Sequence, residues 1–350
     1  MRSLELQVDV TDAAGLGEPA HLALTVTASE ELRDDLRDDP VVCFAKPGGG
    51  YGRGYFTEDL PGPARGAQAG WHAERGWVFV SLDHLGTGES SQHDPELLTF
   101  SSVVASSQAA ETDVLQKLAA GTLMEGLGKI ENPLKIGIGQ SMGGSLTVVQ
   151  QGRQHCYDGV AVLGYSPLRT QPPTAPGTPP LALPWVPRDT DPSEGVFTNG
   201  PALAELGGDF EPAADGTSVM AWGFHYDDID PAVVRRDLED YPARHGEVPP
   251  WGSGTVPMTV ALWCMAPGGA LAEAAAIRSP VLVALGERDV LVDPRGEPRV
   301  YESAWSVDLF VCPRMAHMHN FAGTRELLWQ RIETWADWVR VVKRANEAGA

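Results

Sequence analysis

Cysteine is scarce in this chain of 350 residues: Cys43, Cys156, Cys264 and Cys312 lie far apart and form no CxxC pair. Neither a disulfide framework nor a zinc ribbon is encoded, and the four read as buried, reduced thiols. Long apolar runs are missing too. No stretch approaches the roughly 20 apolar residues that a bilayer-spanning helix needs, so no membrane partner is expected. Positive charge is short: 26 Lys and Arg face 47 Asp and Glu, a formal net charge of −21. Such a surface repels a phosphate backbone, which argues against nucleic acid as a partner. The first ten residues alternate polar and apolar like a strand and lack the charged start and apolar block of a secretion signal, so a cytoplasmic location is expected.

What is present describes a globular protein, 43% hydrophobic and 21% charged, of a length that suits one large domain or a domain with an insert. Continuous apolar runs of strand length recur at 41–45, 77–82, 134–138, 160–163, 281–285 and 307–311. Helical periodicity separates or follows them: Val103, Ala110, Val114 and Leu118 share one face, as do Leu328, Ile332, Trp335, Val339 and Val342. Alternating strand and helix predicts an α/β fold with a mostly parallel sheet covered on both sides.

The rhythm breaks between Pro167 and Ser279. Prolines from Pro167 to Pro187 forbid a long helix, and aromatics follow at Trp185, Phe197, Phe210, Trp222, Phe224, Tyr226, Trp251 and Trp263. Short helices are expected around 231–241 and 267–277. An insert this long reads as a cap subdomain spanning 167–279, with 1–166 and 280–350 forming the core. The acidic run 30–39 reads as a solvated helix or loop.

The sharpest local motif is Gly139-Gln140-Ser141-Met142-Gly143, a G-x-S-x-G between a predicted strand and a predicted helix. A tight turn there needs glycine on both sides, exposes Ser141 Oγ, and aims the Met142 N–H toward the place where an oxyanion would form. A serine hydroxyl is a weak nucleophile, so a base must take its proton, and a carboxylate must hold that base and stabilise its cation.

With this turn the chain resembles the α/β-hydrolase superfamily, across most of 41–166 and 280–338, and three further landmarks follow in the family's order. Lys46-Pro47-Gly48-Gly49-Gly50-Tyr51 resembles the loop that supplies the second oxyanion donor, with Gly49 first choice and Gly50 next; Pro47 stands where many members have His. Asp83-His84-Leu85-Gly86-Thr87-Gly88-Glu89-Ser90 is similar to a structural turn of the family. The resemblance implies Asp289 as the catalytic acid, with Glu287 and Asp293 as nearby alternatives, and His317 as the base, with His319 as runner-up. A second acid position of the family falls on Tyr165-Ser166-Pro167, which has no carboxylate. A metal reading of His317-x-His319 has no further Cys or His cluster to support it.

These features predict a serine hydrolase of the Ser-His-Asp type, needing no metal or cofactor, acting on a carboxylic ester or lactone of a small hydrophobic or aromatic molecule. C–C bond hydrolase, acyltransferase, thioesterase and peptidase chemistry use the same constellation, and a ligand-binding module is the non-enzymatic alternative. Tyr51, Tyr55, Trp222 and His225 are expected near the substrate, and the chain is expected to work as a monomer or homodimer.

Overall fold

A computed structural model of the chain describes residues 1–29, 40–181 and 218–349. The acidic run 30–39, and Trp185, Phe197 and Phe210 of the insert, lie outside the described residues.

Eight strands form one sheet: β1 (Arg2–Asp9), β2 (His21–Ala28), β3 (Val41–Lys46), β4 (Val78–Leu82), β5 (Leu134–Gln140), β6 (Gly159–Leu163), β7 (Val281–Arg288) and β8 (Val307–Ala316). Their spatial order is β1-β2-β4-β3-β5-β6-β7-β8. β1, β2 and β4 pair antiparallel, and every pair from β4 through β8 is parallel. Each apolar run in the sequence becomes a strand of the parallel part. β2 was not among the expected strands, and β1 is the edge strand its alternation predicts.

Side-chain alternation sorts β3 onto two cores. Val42 and Phe44 join Val78, Val80, Leu146 and Val149 on one face. Val41, Cys43 and Ala45 join Phe79, Leu328, Ile332, Trp335 and Val339 on the other. Both faces are therefore dry, which is why these strands read as continuous apolar runs. The first face is covered by α4 (Phe100–Ala120) and α5 (Met142–Gln154) and the second by α10 (Arg325–Gly349), the short helices α1 (Thr11–Ala14), α2 (Gly54–Thr57) and α3 (Gln68–Ala73) having come earlier in the chain. Helix α4 starts at a capping box, in which Thr99 accepts from the Ser102 N–H and Ser102 Oγ accepts from the Thr99 N–H, and stops at Gly121 in the left-handed region.

One charged pair is buried inside the first core. Lys46, the last residue of β3, donates to Glu111 of α4 (2.5 Å) and to the Tyr157 hydroxyl (2.7 Å); Gln150 also donates to Glu111 (2.7 Å). Burying these charges is tolerable only because each is paired and hydrogen-bonded.

Between β6 and β7 the described chain passes its prolines up to Pro180 without a helix, bending at 167–168 and turning at 176–177, and after the residues left undescribed forms α6 (Ala221–Phe224), α7 (Pro231–Leu238), α8 (Met258–Met265) and α9 (Leu271–Ala276). Helices α7 and α9 fall where helical stretches are expected. Helix α8 is apolar on all sides and gives no amphipathic signal from which to read it. Among the described residues no helix is long and apolar enough to cross a membrane.

Candidate active site

Because β3, β5, β7 and β8 run parallel, the loops after them open at the same edge of the sheet. Ser141 sits between β5 and α5 at φ 54° and ψ −118°, a region a side-chain-bearing residue seldom occupies. The turn is held by the Ser141 N–H on the Leu163 carbonyl (2.8 Å) and by the Ser145 N–H on the Ser141 carbonyl (3.1 Å). Its glycines are enforced by contact. A Cβ at Gly139 would lie 2.1 Å from the Gly143 carbonyl oxygen, and one at Gly143 would lie 2.1 Å from the carbonyl oxygen of Lys46.

His317 follows β8 and Asp289 follows β7. His317 Nε2 is 3.0 Å from Ser141 Oγ, and His317 Nδ1 is 2.7 Å from Asp289 Oδ1. An ionised carboxylate only accepts, so the ring proton sits on Nδ1 and the Nε2 lone pair faces the serine. Asp289 is buried and accepts four hydrogen bonds: from His317, from the Gly286 N–H (2.9 Å), from the Val290 N–H (2.8 Å) and from His319 Nε2 (2.6 Å). Burial would raise its pKa, but the two imidazoles outweigh burial and hold the carboxyl far below the usual range. The alternative acids point elsewhere: Glu287 accepts from the Tyr226 hydroxyl (2.5 Å), and Asp293 is paired with Arg299 (3.5 Å).

The loop carrying His317 is tied down from two sides. Gln140 Nε2 donates to the His317 carbonyl (3.0 Å). From the insert, the Gly223 and Phe224 carbonyls accept from the N–H groups of His317 (3.0 Å) and Met318 (2.8 Å), and the Phe224 ring lies 5.0 Å from the His317 ring. The anchors from Gly223 and Phe224 come from a segment that nothing in the sequence links to His317.

Met142 is the first residue of α5, so its N–H has no partner within the helix. Gly49 packs against it: a Cβ at Gly49 would meet Met142 Sδ at 3.6 Å. Gly50 instead turns to the insert at φ 77°, its carbonyl accepting from the Ser253 N–H (3.0 Å) and from Arg244. Of the two glycines, Gly49 is the one beside Met142. Pro47, the departure from the family pattern, has its carbonyl held by His84 Nε2 (2.9 Å), whose pKa burial pushes down to about 4. Asp83 braces its own turn, accepting from the N–H groups of Arg53 (2.7 Å) and Glu89 (2.9 Å).

Of the residues expected to face substrate, Tyr51, Tyr55 and His225 hydrogen-bond to protein partners. Tyr51 is fully buried and donates to Asp237 Oδ2 (2.7 Å), to which His225 Nε2 also bonds (2.8 Å). Trp251 Nε1 donates to Asp237 Oδ1 (2.7 Å), and Arg244 donates to the Asp237 carbonyl (2.7 Å). Tyr55 accepts from the Asn320 N–H (3.1 Å), and Trp222 stacks under the Arg288 guanidinium at 4.3 Å. A polar tip enclosed this far from water is costly without a partner, which the Tyr51 hydroxyl, the Trp251 indole N–H and one nitrogen of His225 find at Asp237, while His225 Nδ1 is left without one. The Asp237 cluster was not expected, since its members are spread from 51 to 251 with no local pattern. Among the described residues no three His, Cys, Asp or Glu side chains converge as a metal site.

No family model and no curated protein matches the chain. Solved structures do. A haloalkane dehalogenase loop variant from Bradyrhizobium elkanii aligns with 99% of this chain and all of its own, at 12% identity and a TM-score of 0.55. A proline iminopeptidase from Mycobacterium smegmatis aligns with 97% of this chain and all of its own, at 14% identity and a TM-score of 0.55. A peroxisomal α/β-hydrolase from Saccharomyces cerevisiae aligns with 97% of this chain and 88% of its own, at 13% identity and a TM-score of 0.52. The chain has the α/β-hydrolase fold.

Proposed function

We propose that this protein is a serine hydrolase that cleaves a carboxylic ester or lactone of a small, hydrophobic or aromatic molecule. The observation that carries this reading is the relay from Ser141 Oγ to His317 Nε2 (3.0 Å) and on to Asp289 (2.7 Å), at a strained strand-to-helix turn. Ser141 Oγ attacks the acyl carbon as its proton passes to His317 Nε2. The imidazolium is stabilised by Asp289 and returns that proton to the departing alkoxide oxygen. Water, deprotonated by the same nitrogen, then cleaves the acyl-enzyme and regenerates Ser141. The N–H groups of Met142 and Gly49 receive the negative oxygen in both halves. Segment 167–279 is the cap in this reading, and Phe224, packed on the His317 ring, supports an apolar surface next to the acyl group. Dehalogenation on this fold uses a carboxylate nucleophile, and a serine at that position weighs against it.

The test is labelling with a fluorophosphonate followed by peptide mass spectrometry, with Ser141→Ala as control, and then a panel of esters, lactones and thioesters. A stoichiometric adduct on Ser141, with turnover falling on the order of 10⁶-fold in the alanine variant, is expected. Folded protein that takes up no label would overturn the reading in favour of a ligand-binding module.

A further inference from the structure

His319 is unusual in its placement. It is buried, and its Nε2 lies 2.6 Å from Asp289 Oδ2, closer than His317 Nδ1 lies to the other oxygen of the same carboxylate. Since the carboxylate only accepts, His319 must carry a proton on Nε2. Its Nδ1 is buried with no hydrogen-bond partner, so the contact with Asp289 is the one polar interaction of that ring. A histidine needed only to fill space would not require this bond, and an apolar residue would avoid the orphaned nitrogen. The short 3₁₀ turn His319–Phe321, joined to Tyr55 through Asn320, fixes the ring where it is.

We propose that His319 is a positioning residue for the triad: its Nε2–H locks the plane of the Asp289 carboxylate and draws charge from it, which sets how strongly Asp289 supports the His317 imidazolium. The inference rests on the serine-hydrolase reading. Two donors on Oδ2, the His319 Nε2–H and the Gly286 N–H, prevent the carboxylate from rotating away from His317. The other ionisable groups around the pair are engaged: Tyr55 with the Asn320 N–H, Asp237 with its own donors, Glu287 with Tyr226, and Arg288 with Asp227 and the His225 carbonyl.

The test compares His319→Leu, which removes the donor, with His319→Gln, whose amide nitrogen can occupy the place of Nε2. In the leucine variant Ser141 labelling should slow about ten- to a hundredfold, the rate equivalent of one hydrogen bond to a charged group. The glutamine variant should recover most of that rate, a rescue that restored packing alone would not give. A folded leucine variant with an unchanged rate would overturn the proposal, whereas failure of the unaltered protein to label would instead overturn the hydrolase reading. ¹⁵N spectra of the intact protein give a variant-free check: His319 should be protonated on Nε2, and an Nδ1-protonated ring would overturn the assignment.

Discussion

Among the described residues two aspartates with buried carboxylates each face a histidine ring nitrogen at 2.7–2.8 Å, and what lies beyond that ring differs. Asp289 meets His317, whose far nitrogen looks onto a serine hydroxyl. Asp237 meets His225, whose far nitrogen has no partner, and its other donors are Tyr51, Trp251 and Arg244, which link the insert to the loop at Gly50. A buried Asp–His contact is therefore no mark of chemistry by itself. The distinction lies one step further on, in what the second ring nitrogen faces.

That contrast can be broken or sharpened by substitution. Asp289→Asn keeps one acceptor oxygen, enough for the Gly286 or the Val290 N–H but not both since they bond opposite oxygens, so the protein should fold with somewhat lower stability while turnover falls on the order of 10⁴-fold. A loss under tenfold would move the acid role to Glu287 or Asp293. Asp237→Asn should behave the opposite way. Stripping the charge from a site that still buries Arg244 should cost about 3 kcal/mol in a urea titration, with Ser141 labelling per folded molecule lowered less than tenfold. If labelling collapses in a stable Asp237 variant, the two aspartates are not separable in function.

Acid should act on both. Their folded-state pKa values are depressed by their donors against the opposing effect of burial. Each therefore contributes stability above the unfolded carboxyl value of about 4 that is lost as pH falls further. Acid unfolding should be shallower in the Asp237→Asn variant than in the unaltered protein.

Glu297 supplies the smallest effect and the reverse sign. Burial raises its pKa to about 7, against the opposing pull of the Ser166 hydroxyl (2.9 Å). A raised carboxyl stabilises fully below its unfolded value and loses that contribution as pH rises through about 7. Glu297→Gln should thus raise stability at pH 8 by about 1 kcal/mol, with little change at pH 4, in thermal melts at the two pH values.

Legibility followed the range of the interactions. The parallel strands were readable because burial on both faces leaves apolar runs, and the Ser141 turn because its glycines answer a local steric demand. Asp289 and His317 were reachable through order along the chain and the family resemblance. What escaped was set by partners distant in sequence. Tyr51 and Asp237 are 186 positions apart, and nothing beside either announces the other. His319 was visible as a residue, but its bond to the second oxygen of Asp289 depends on how the last loop folds back on itself. Helix α8 escaped for a different reason, being apolar throughout and so without a period.

The crowding around Gly139 and Gly143 has a consequence for how such a protein can change over generations. With neighbouring backbone about 2 Å from where a methyl would stand, any side chain at Gly139 or Gly143 forces the turn apart. Heritable variation is channelled away from the nucleophile and into segments with open space, such as Gly246 and Gly268 of the insert, where an added side chain meets nothing or only backbone strain. On the proposed reading, the turn that carries Ser141 resists change more than its surroundings do, so descendants of this chain are expected to differ in what they accept before they differ in how they react.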